Sequence, residues 1–300
     1  MSPLTRGPTV RVLLTGGNAF VSRALGPALL SAKHEVTVCV RAASQLADWI
    51  DEGVSQVVEA DLANAGIMAL LNSAPEAIIH AAGRLEDPDT PLDLFMRDNF
   101  KSTRNLVALA NAGKTRKFIY FSSISIHGSV HTTEIDETTR SIEPTPYGLS
   151  KRMAEKCLAG QKLVPAVSIR LPGIVGPEAQ KNWLSRCRAD LRANKPVKIS
   201  NPDFPFNNVL HSADLAMFVL SLLDRNWSNF HAFPVGASAP MTIATMVETM
   251  KNACGSSSET TIVGGGRTPF SISTAYAEKN FGYIPATVDS IISRFCLTDD

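Results

Sequence analysis

Tyr147 and Lys151 stand four residues apart in "PTPYGLSKRMAEKC", one turn of a helix whose start is marked by Pro144 and Pro146. A phenol and an ammonium on one helix face have a chemical use. The cation favours phenolate and draws the phenol's pKa down from about 10, towards the range in which it exchanges a proton with a hydroxyl. Taken alone, the pair is equally an exposed helix pair, and its company lifts it. "KFIYFSSISIHG" ends a β-rich run with Ser122 and Ser123. "VRVLLTGGNAFVSRAL", Val10 to Leu25, reads as strand, glycine turn and helix, and the amino end of such a helix can hold an anion.

That turn is imperfect. Where a G-x-x-G-x-x-G pattern has three glycines, the chain has Gly16, Ala19 and Ser22. The first glycine permits the bend, the second lets backbone approach a pyrophosphate and the third lets helix pack on strand. Ala19 is tolerable at negative φ, and the Ser22 hydroxyl can bond within the first helical turn or to a phosphate oxygen. A plain strand-turn-helix corner is the alternative. After the next strand, "EVTVCV", an acid would meet a ribose 2′-OH and an arginine a 2′-phosphate. Here Arg41 and Ser44 follow, which favours NADP over NAD unless Arg41 is simply a solvated residue.

The elements that must position these groups alternate. Apolar β-rich runs "VRVLLT", "EVTVCV", "VSQVVEA", "AIIHAA" and "KFIYFSS" are separated by helical stretches at residues 22–31, 44–52, 63–71, 91–111 and 147–159. Alternation of this kind means βαβ units and a doubly wound parallel sheet in an α/β fold. Beyond "PAVSIRLPGIVGP" the rhythm loosens, although "SADLAMFVLSLLD" still reads as a helix. The expected division is a cofactor-binding domain at 1–171 and 209–238, and a small C-terminal substrate-binding subdomain at 172–208 and 239–300. "GSSSETTIVGGG" reads as a flexible loop.

Bulk properties exclude several classes. Hydrophobic residues make up 44% of the 300 and charged residues 19%, enough to bury a core. A net charge of +1 without basic runs speaks against nucleic acid. Five dispersed cysteines fit neither a disulfide framework nor a metal site and suit a reducing compartment. No apolar segment approaches the roughly 18 residues that span a bilayer, so a cytoplasmic protein without membrane contact is expected, with residues 1–9 a loose leader.

Eight segments in order, "TGGNAFVS", "ADL", "IIHAAG", "DNFKSTRNL", "FSSISIHG", "YGLSK", "RLPGIVGP" and "NNVLHSADLA", resemble the extended short-chain dehydrogenases/reductases, the NAD(P)-dependent epimerases and dehydratases of nucleotide sugars. The resemblance implies a Rossmann-type sheet. It also implies that Tyr147 is the general acid/base, that Lys151 lowers its pKa and holds the nicotinamide ribose, and that Ser123, five before Gly128, orients the reacting oxygen, with Ser122 the rival. Asn99 would steady the site's backbone. Gly16, Asn18, Ala19, Phe20 and Val21 would form the phosphate turn, Asp61 and Leu62 the adenine contact, Ala81, Ala82 and Gly83 the wall along the pyrophosphate, and Pro172 a further cofactor contact. Substrate would meet Ser125, His127, Gly173, Asn182, Asn207 and Arg267. A homodimer is expected through the helices containing Leu106, Leu109, Met153 and Leu158, positions that equally suit packing on their own sheet.

Two departures narrow the activity. Sugar-nucleotide members tend to carry Asn and Arg where this chain has Gly173 and Asn207, so two polar holds on a diphosphate are missing. Arg186, Arg188 or Arg267 could supply charge instead. An epimerase or dehydratase of a nucleotide sugar therefore stands beside an NADP-dependent reductase of a simpler carbonyl or alcohol, and beside a non-catalytic cofactor-binding module. His80 reads as a core histidine.

Overall fold

The computed structural model describes residues 8–44, 46–64, 66–180, 182–264 and 268–298. They form two compact units. One comprises the chain up to Gly128, Glu143–Arg170 and Ala216–Ala232; the other comprises Ser129–Ile142, Leu171–Leu215 and the chain from Phe233 onward. Residues 129–142, 171, 209–215 and 233–238 thus lie with the second unit rather than the first.

In the first unit β1 (Arg11–Thr15), β2 (Glu35–Val40), β3 (Gln56–Glu59), β4 (Ala77–His80) and β5 (Lys117–Ser123) join the strands Ala166–Leu171 and Phe230–Pro234 in one sheet. From edge to edge the order is Phe230–Pro234, Ala166–Leu171, β5, β4, β1, β2, β3. β1 pairs in parallel with β2 and β4, β2 with β3, and β4 with β5. The chain winds outward from β1 in both directions, so the strand order reverses between β1 and β4, and a crevice opens there at the strands' carboxyl ends. Val12, Leu13, Leu14, Ile78, Ile79, Phe118 and Ile119 are each at most 1% exposed. Burial on both faces is why these strands read as continuous apolar runs rather than alternating ones.

Four helices bear on the site: α1 (Phe20–Ser31), α2 (Leu92–Phe95), α3 (Ser102–Ala112) and α4 (Pro146–Gly160). α2 and α3 are joined through a π-helical stretch, Met96–Lys101, so the helix expected over 91–111 is one run with a widened turn at its centre. Such turns concentrate at functional positions because they re-aim side chains. Two expectations differ from the structure. Among the described residues, 63–71 hold a short 3₁₀ turn, Ile67–Leu70, entered through Gly66 at φ +111°, and 44–52 hold the 3₁₀ turn Asp48–Glu52, in place of the expected helices.

The second unit is built from short strand pairs and helices. Gly173–Val175 runs parallel to Val209–His211, and Thr260–Ile262 parallel to Val197–Ile199. The expected "GSSSETTIVGGG" loop therefore contains a paired strand, while Gly265 and Gly266 lie outside the described residues. Phe233 stacks on Phe281 at 4.8 Å in this unit's core. Among the described residues no helix is long and apolar enough to cross a membrane. Leu106, Leu109 and Leu158 are buried in the core of the first unit and Met153 is half-buried, so three of the four positions considered for a dimer contact pack on their own sheet.

Candidate active site

The glycine turn explains its own substitutions. Gly16 has φ +76°, and a Cβ there would lie 2.7 Å from the Ala82 amide nitrogen, so both backbone and space demand glycine. The amides of Gly16 and Gly17 donate to the Cys39 carbonyl at 2.9 and 3.2 Å, fastening the turn to β2. Ala19 sits at φ −68°, ψ 146°, where a methyl costs nothing. Ser22 is fully buried and donates its hydroxyl to the Gly16 carbonyl at 2.8 Å, so it locks the turn from the position where a third glycine would only have left room. α1 opens at Ala19 with no side-chain cap and no acid in its first turn, which leaves its amino end, with Phe20 and Val21, suited to an anion. Gly16→Ala is expected to lower folding stability by about 2 kcal/mol, read as a fall in the urea midpoint.

Beside this turn lies a cleft of about 590 Å³, bordered by Gly16, Asn18, Ala19, Arg41, Ser44, Leu62, Ala82 and Gly83 among the expected residues. Asn18 spends its amide oxygen on the Ala47 amide at 2.9 Å. Arg23, Asp98 and Ser102 border it as well, and sequence reading passed over them. The Asp98 carboxylate is wholly buried yet gathers three guanidinium groups, Arg97 at 2.6 Å, Arg84 at 2.7 Å and Arg41 at 3.4 Å, while the Arg41 side chain remains 59% exposed. Asp61 departs from expectation. Its carboxylate is taken by Arg97 and by the Ala63 amide, and although burial works the other way, these bonds hold its carboxyl below the ordinary value. The Ala81 amide donates to the Thr15 carbonyl at 3.2 Å and so belongs to the sheet margin.

At the end of β5, Ser123 accepts the Ser125 amide at 3.1 Å. Thr145 caps α4 by accepting the Gly148 amide at 3.2 Å, Pro146 occupies the first turn, and Tyr147 follows at 9% exposure. The Ser123 hydroxyl lies close enough to the phenol to act on its pKa, whereas the buried Ser122 hydroxyl has no hydrogen-bond partner. Of the two candidates, Ser123 is the one whose hydroxyl acts on the phenol's pKa.

Lys151 behaves differently from the simple expectation. Its Nζ donates to the Phe121 carbonyl at 2.9 Å and lies 6.0 Å from the centroid of the Tyr147 ring. Burial pulls the ammonium down to about 8 against the opposing pull of Glu155. Burial likewise pushes Tyr147 up to about 12; the nearby Ser123 hydroxyl opposes the rise and the Glu86 charge adds to it. In this state the amine does not make the phenol acidic, because it is aimed at a backbone carbonyl and desolvation of the ring's oxygen outweighs it.

Asn99, in the π-helical stretch, joins three segments. Its Oδ1 accepts the Arg84 amide at 2.7 Å, and its Nδ2 donates to Ser150 Oγ at 2.9 Å and to the Arg84 carbonyl at 3.2 Å. A Cβ on Gly83 would come within 2.8 Å of this Asn99 oxygen and 3.4 Å of Lys151 Nζ, so the wall beside the lysine is backbone alone. His80 is a core histidine. Thr103 gives its one hydroxyl proton to the Asn99 carbonyl at 2.7 Å, so His80 Nε2 donates to Thr103 and Nδ1 accepts from Thr15. Burial pulls its pKa down to about 3, and the ring is neutral.

The substrate residues expected in the second unit are committed elsewhere. Asn182 caps the helix Trp183–Arg192 and donates to the Ile174 carbonyl at 2.9 Å. Asn207 is buried, donating to the Ala237 and Ile272 carbonyls and accepting the Ile272 amide. Gly173 lies in its strand pair and Pro172 is buried in the same unit. In the first unit His127 is fully buried, which removes it from a substrate's reach, whereas Ser125 turns its hydroxyl to Glu86. Arg186 and Arg188 lie on the helix Trp183–Arg192, where Arg188 packs over Phe295 and bonds its carbonyl. Arg267 lies outside the described residues.

A glycine corner beneath an open helix end, at the switch point of a doubly wound sheet, is the architecture of dinucleotide-binding proteins. Residues 12–236 match the NAD dependent epimerase/dehydratase family, and the chain belongs to it. It is 29% identical to UDP-glucose 4-epimerase of Vibrio cholerae over 187 residues, 59% of this chain and 56% of that protein. It is 24% identical to 2′-dehydrokanamycin reductase of Streptomyces kanamyceticus over 258 residues, 82% of this chain and 67% of that one. Against other curated relatives, among them UDP-glucose 4-epimerase of Rhizobium leguminosarum bv. trifolii and dTDP-D-glucose 4,6-dehydratase of Homo sapiens, the match spans only 28% and 39% of their length. In fold it is similar to the Bordetella bronchiseptica enzyme WbmG, solved in complex with NAD and UDP, at a TM-score of 0.83 and 20% identity over 96% of this chain and 94% of that one.

Proposed function

We propose that this chain is an NAD(P)-dependent epimerase or dehydratase acting on a nucleotide sugar through Ser123, Tyr147 and Lys151. The observation that carries this reading is the placing of Ser123 at the end of β5 near the Tyr147 phenol in the first turn of α4, with the buried Lys151 one helical turn beyond the phenol. The cradle suits a dinucleotide: Gly16 and Gly83 leave room that a Cβ would fill, and the amino end of α1 is open to a pyrophosphate. When bound, the cofactor supplies the hydride acceptor and donor. Tyr147 exchanges the proton of the substrate hydroxyl, Ser123 orients that oxygen, and Asn99 holds the segment after β4 against α4. The relatives that act on UDP-sugars support the substrate class.

NADP is the proposed preference. Arg41 and Ser44 border the cleft, and the buried Asp98 carboxylate holds Arg41 in place while leaving most of its side chain exposed. Arg41→Ala is expected to weaken NADP binding about tenfold more than NAD binding, as measured by calorimetry with each coenzyme. Equal losses would assign Arg41 to the surface. A homodimer is the proposed assembly, to be read from light scattering.

A second reading, reductase of a simpler carbonyl or alcohol, is favoured by Asn182 and Asn207, whose amides are spent within the protein rather than kept for a diphosphate. Similarity to a reductase over most of the chain points the same way. Product analysis decides. Redox-neutral conversion of a nucleotide sugar supports the first reading, and stoichiometric change in nicotinamide absorbance supports the second.

A further inference from the structure

Glu86 lies in the segment after β4 and is exposed, yet both of its oxygens are fixed. Oε2 accepts the Ser125 hydroxyl at 3.1 Å and Oε1 accepts the Thr145 hydroxyl at 3.0 Å. These hydroxyls belong to the two segments that carry the proton-transfer pair: the Ser125 amide donates to Ser123 Oγ, and Thr145 caps the helix that begins with Pro146 and Tyr147. The carboxylate is near enough for its charge to act on the Tyr147 phenol.

No described cation pairs with its charge. Among the described residues no cationic side chain lies within ion-pair distance of Glu86, and Arg84, two residues away, commits its guanidinium to Asp98. Two neutral hydroxyls leave lone pairs free on both oxygens, since a carboxylate has about four acceptor sites. A fixed anion of this kind bonds a cationic donor more strongly than a neutral one and repels another anion.

We infer that Glu86 is a specificity residue that selects a sugar ring bearing a protonated amine and disfavours one bearing a carboxylate. This rests on the nucleotide-sugar reading above and adds the charge of the preferred ring to it. A neutral hydroxyl can occupy the same lone pairs, but without the charge term it binds less well.

The test is calorimetric affinity of the protein saturated with NADP, and in parallel with NAD, for UDP-glucosamine, UDP-glucose and UDP-glucuronate, at a mildly acidic pH that keeps the amine protonated. Wild type is compared with Glu86→Gln, whose fold is checked by circular dichroism. The expected order is amine, then hydroxyl, then carboxylate, each step about fivefold because the site is exposed, with the steps shrinking at high salt. In Glu86→Gln the three affinities are expected to converge. Equal affinities in the wild type, or an order that survives in Glu86→Gln, would overturn the inference and leave the nucleotide-sugar reading standing. Failure of all three to bind the folded protein loaded with either coenzyme would overturn that reading and this inference with it.

Discussion

Tyr147→Phe is expected to lower turnover by about 10³-fold while NAD binding and the fold persist. The ring packs edge-on against Phe95 at 5.8 Å, a contact that phenylalanine keeps. Ser123 loses the phenol but still accepts the Ser125 amide, so no new unpaired acceptor is created on the serine. Stability should therefore change by no more than about 1 kcal/mol. Burial pushes the phenol up to about 12, so it holds its proton at neutral pH. The assay is single-turnover hydride transfer, with coenzyme binding followed in parallel by thermal shift. Retained turnover with coenzyme bound would remove Tyr147 from the proposed chemistry.

The central sheet was legible because its strands are buried on both faces and their residues are β-branched or aromatic. "EVTVCV" and "KFIYFSS" coincide with β2 and β5 to the residue. Elements whose existence depends on distant partners were not. Thr260–Ile262 is a strand only because Val197–Ile199 pairs with it, and nothing local in "SSSETTIVGG" announces that pairing. Residues 129–142 leave the first unit for the same reason: Glu134–Ile135 pairs with Ser271–Ile272, more than a hundred residues on.

At the site, residue types at fixed short spacing were readable and electrostatic consequences were not. Gly16 takes the positive φ that the turn was read to need, and the fold accommodates the two absent glycines because Ala19 needs no positive φ and Ser22 bonds the turn. Asp98 and Glu86 went unseen. Each looks like a surface acid in sequence, and its meaning comes from partners brought by folding: Arg41 and Arg84 for Asp98, Ser125 and Thr145 for Glu86. The misjudged group was Lys151, whose four-residue spacing from Tyr147 says nothing of the carbonyl it meets or of how deeply both groups are buried.

That burial leads to the second large effect. Lys151→Met is expected to reduce turnover about 100-fold and yet to stabilise the fold at neutral pH. Lys151 is 6% exposed, and its ammonium falls from 10.5 to about 8 on folding, a difference worth about 3 kcal/mol against the charged form. Methionine fills similar space without a charge but leaves the Phe121 carbonyl unpaired, which costs about 1–2 kcal/mol. A net gain of about 1–2 kcal/mol follows, a rise in melting temperature of several degrees. The pH dependence fixes the cause. A base with a lowered folded pKa binds fewer protons folded than unfolded between about 8 and 10.5, so wild-type stability should climb through that window while the variant's does not. The variant's advantage should therefore vanish above pH 10.5, and wild-type turnover should decline above about 8 as the ammonium gives up its proton. A variant less stable than wild type at neutral pH would mean that the ammonium is compensated within the fold, and that the site carries no strain for the sake of its chemistry.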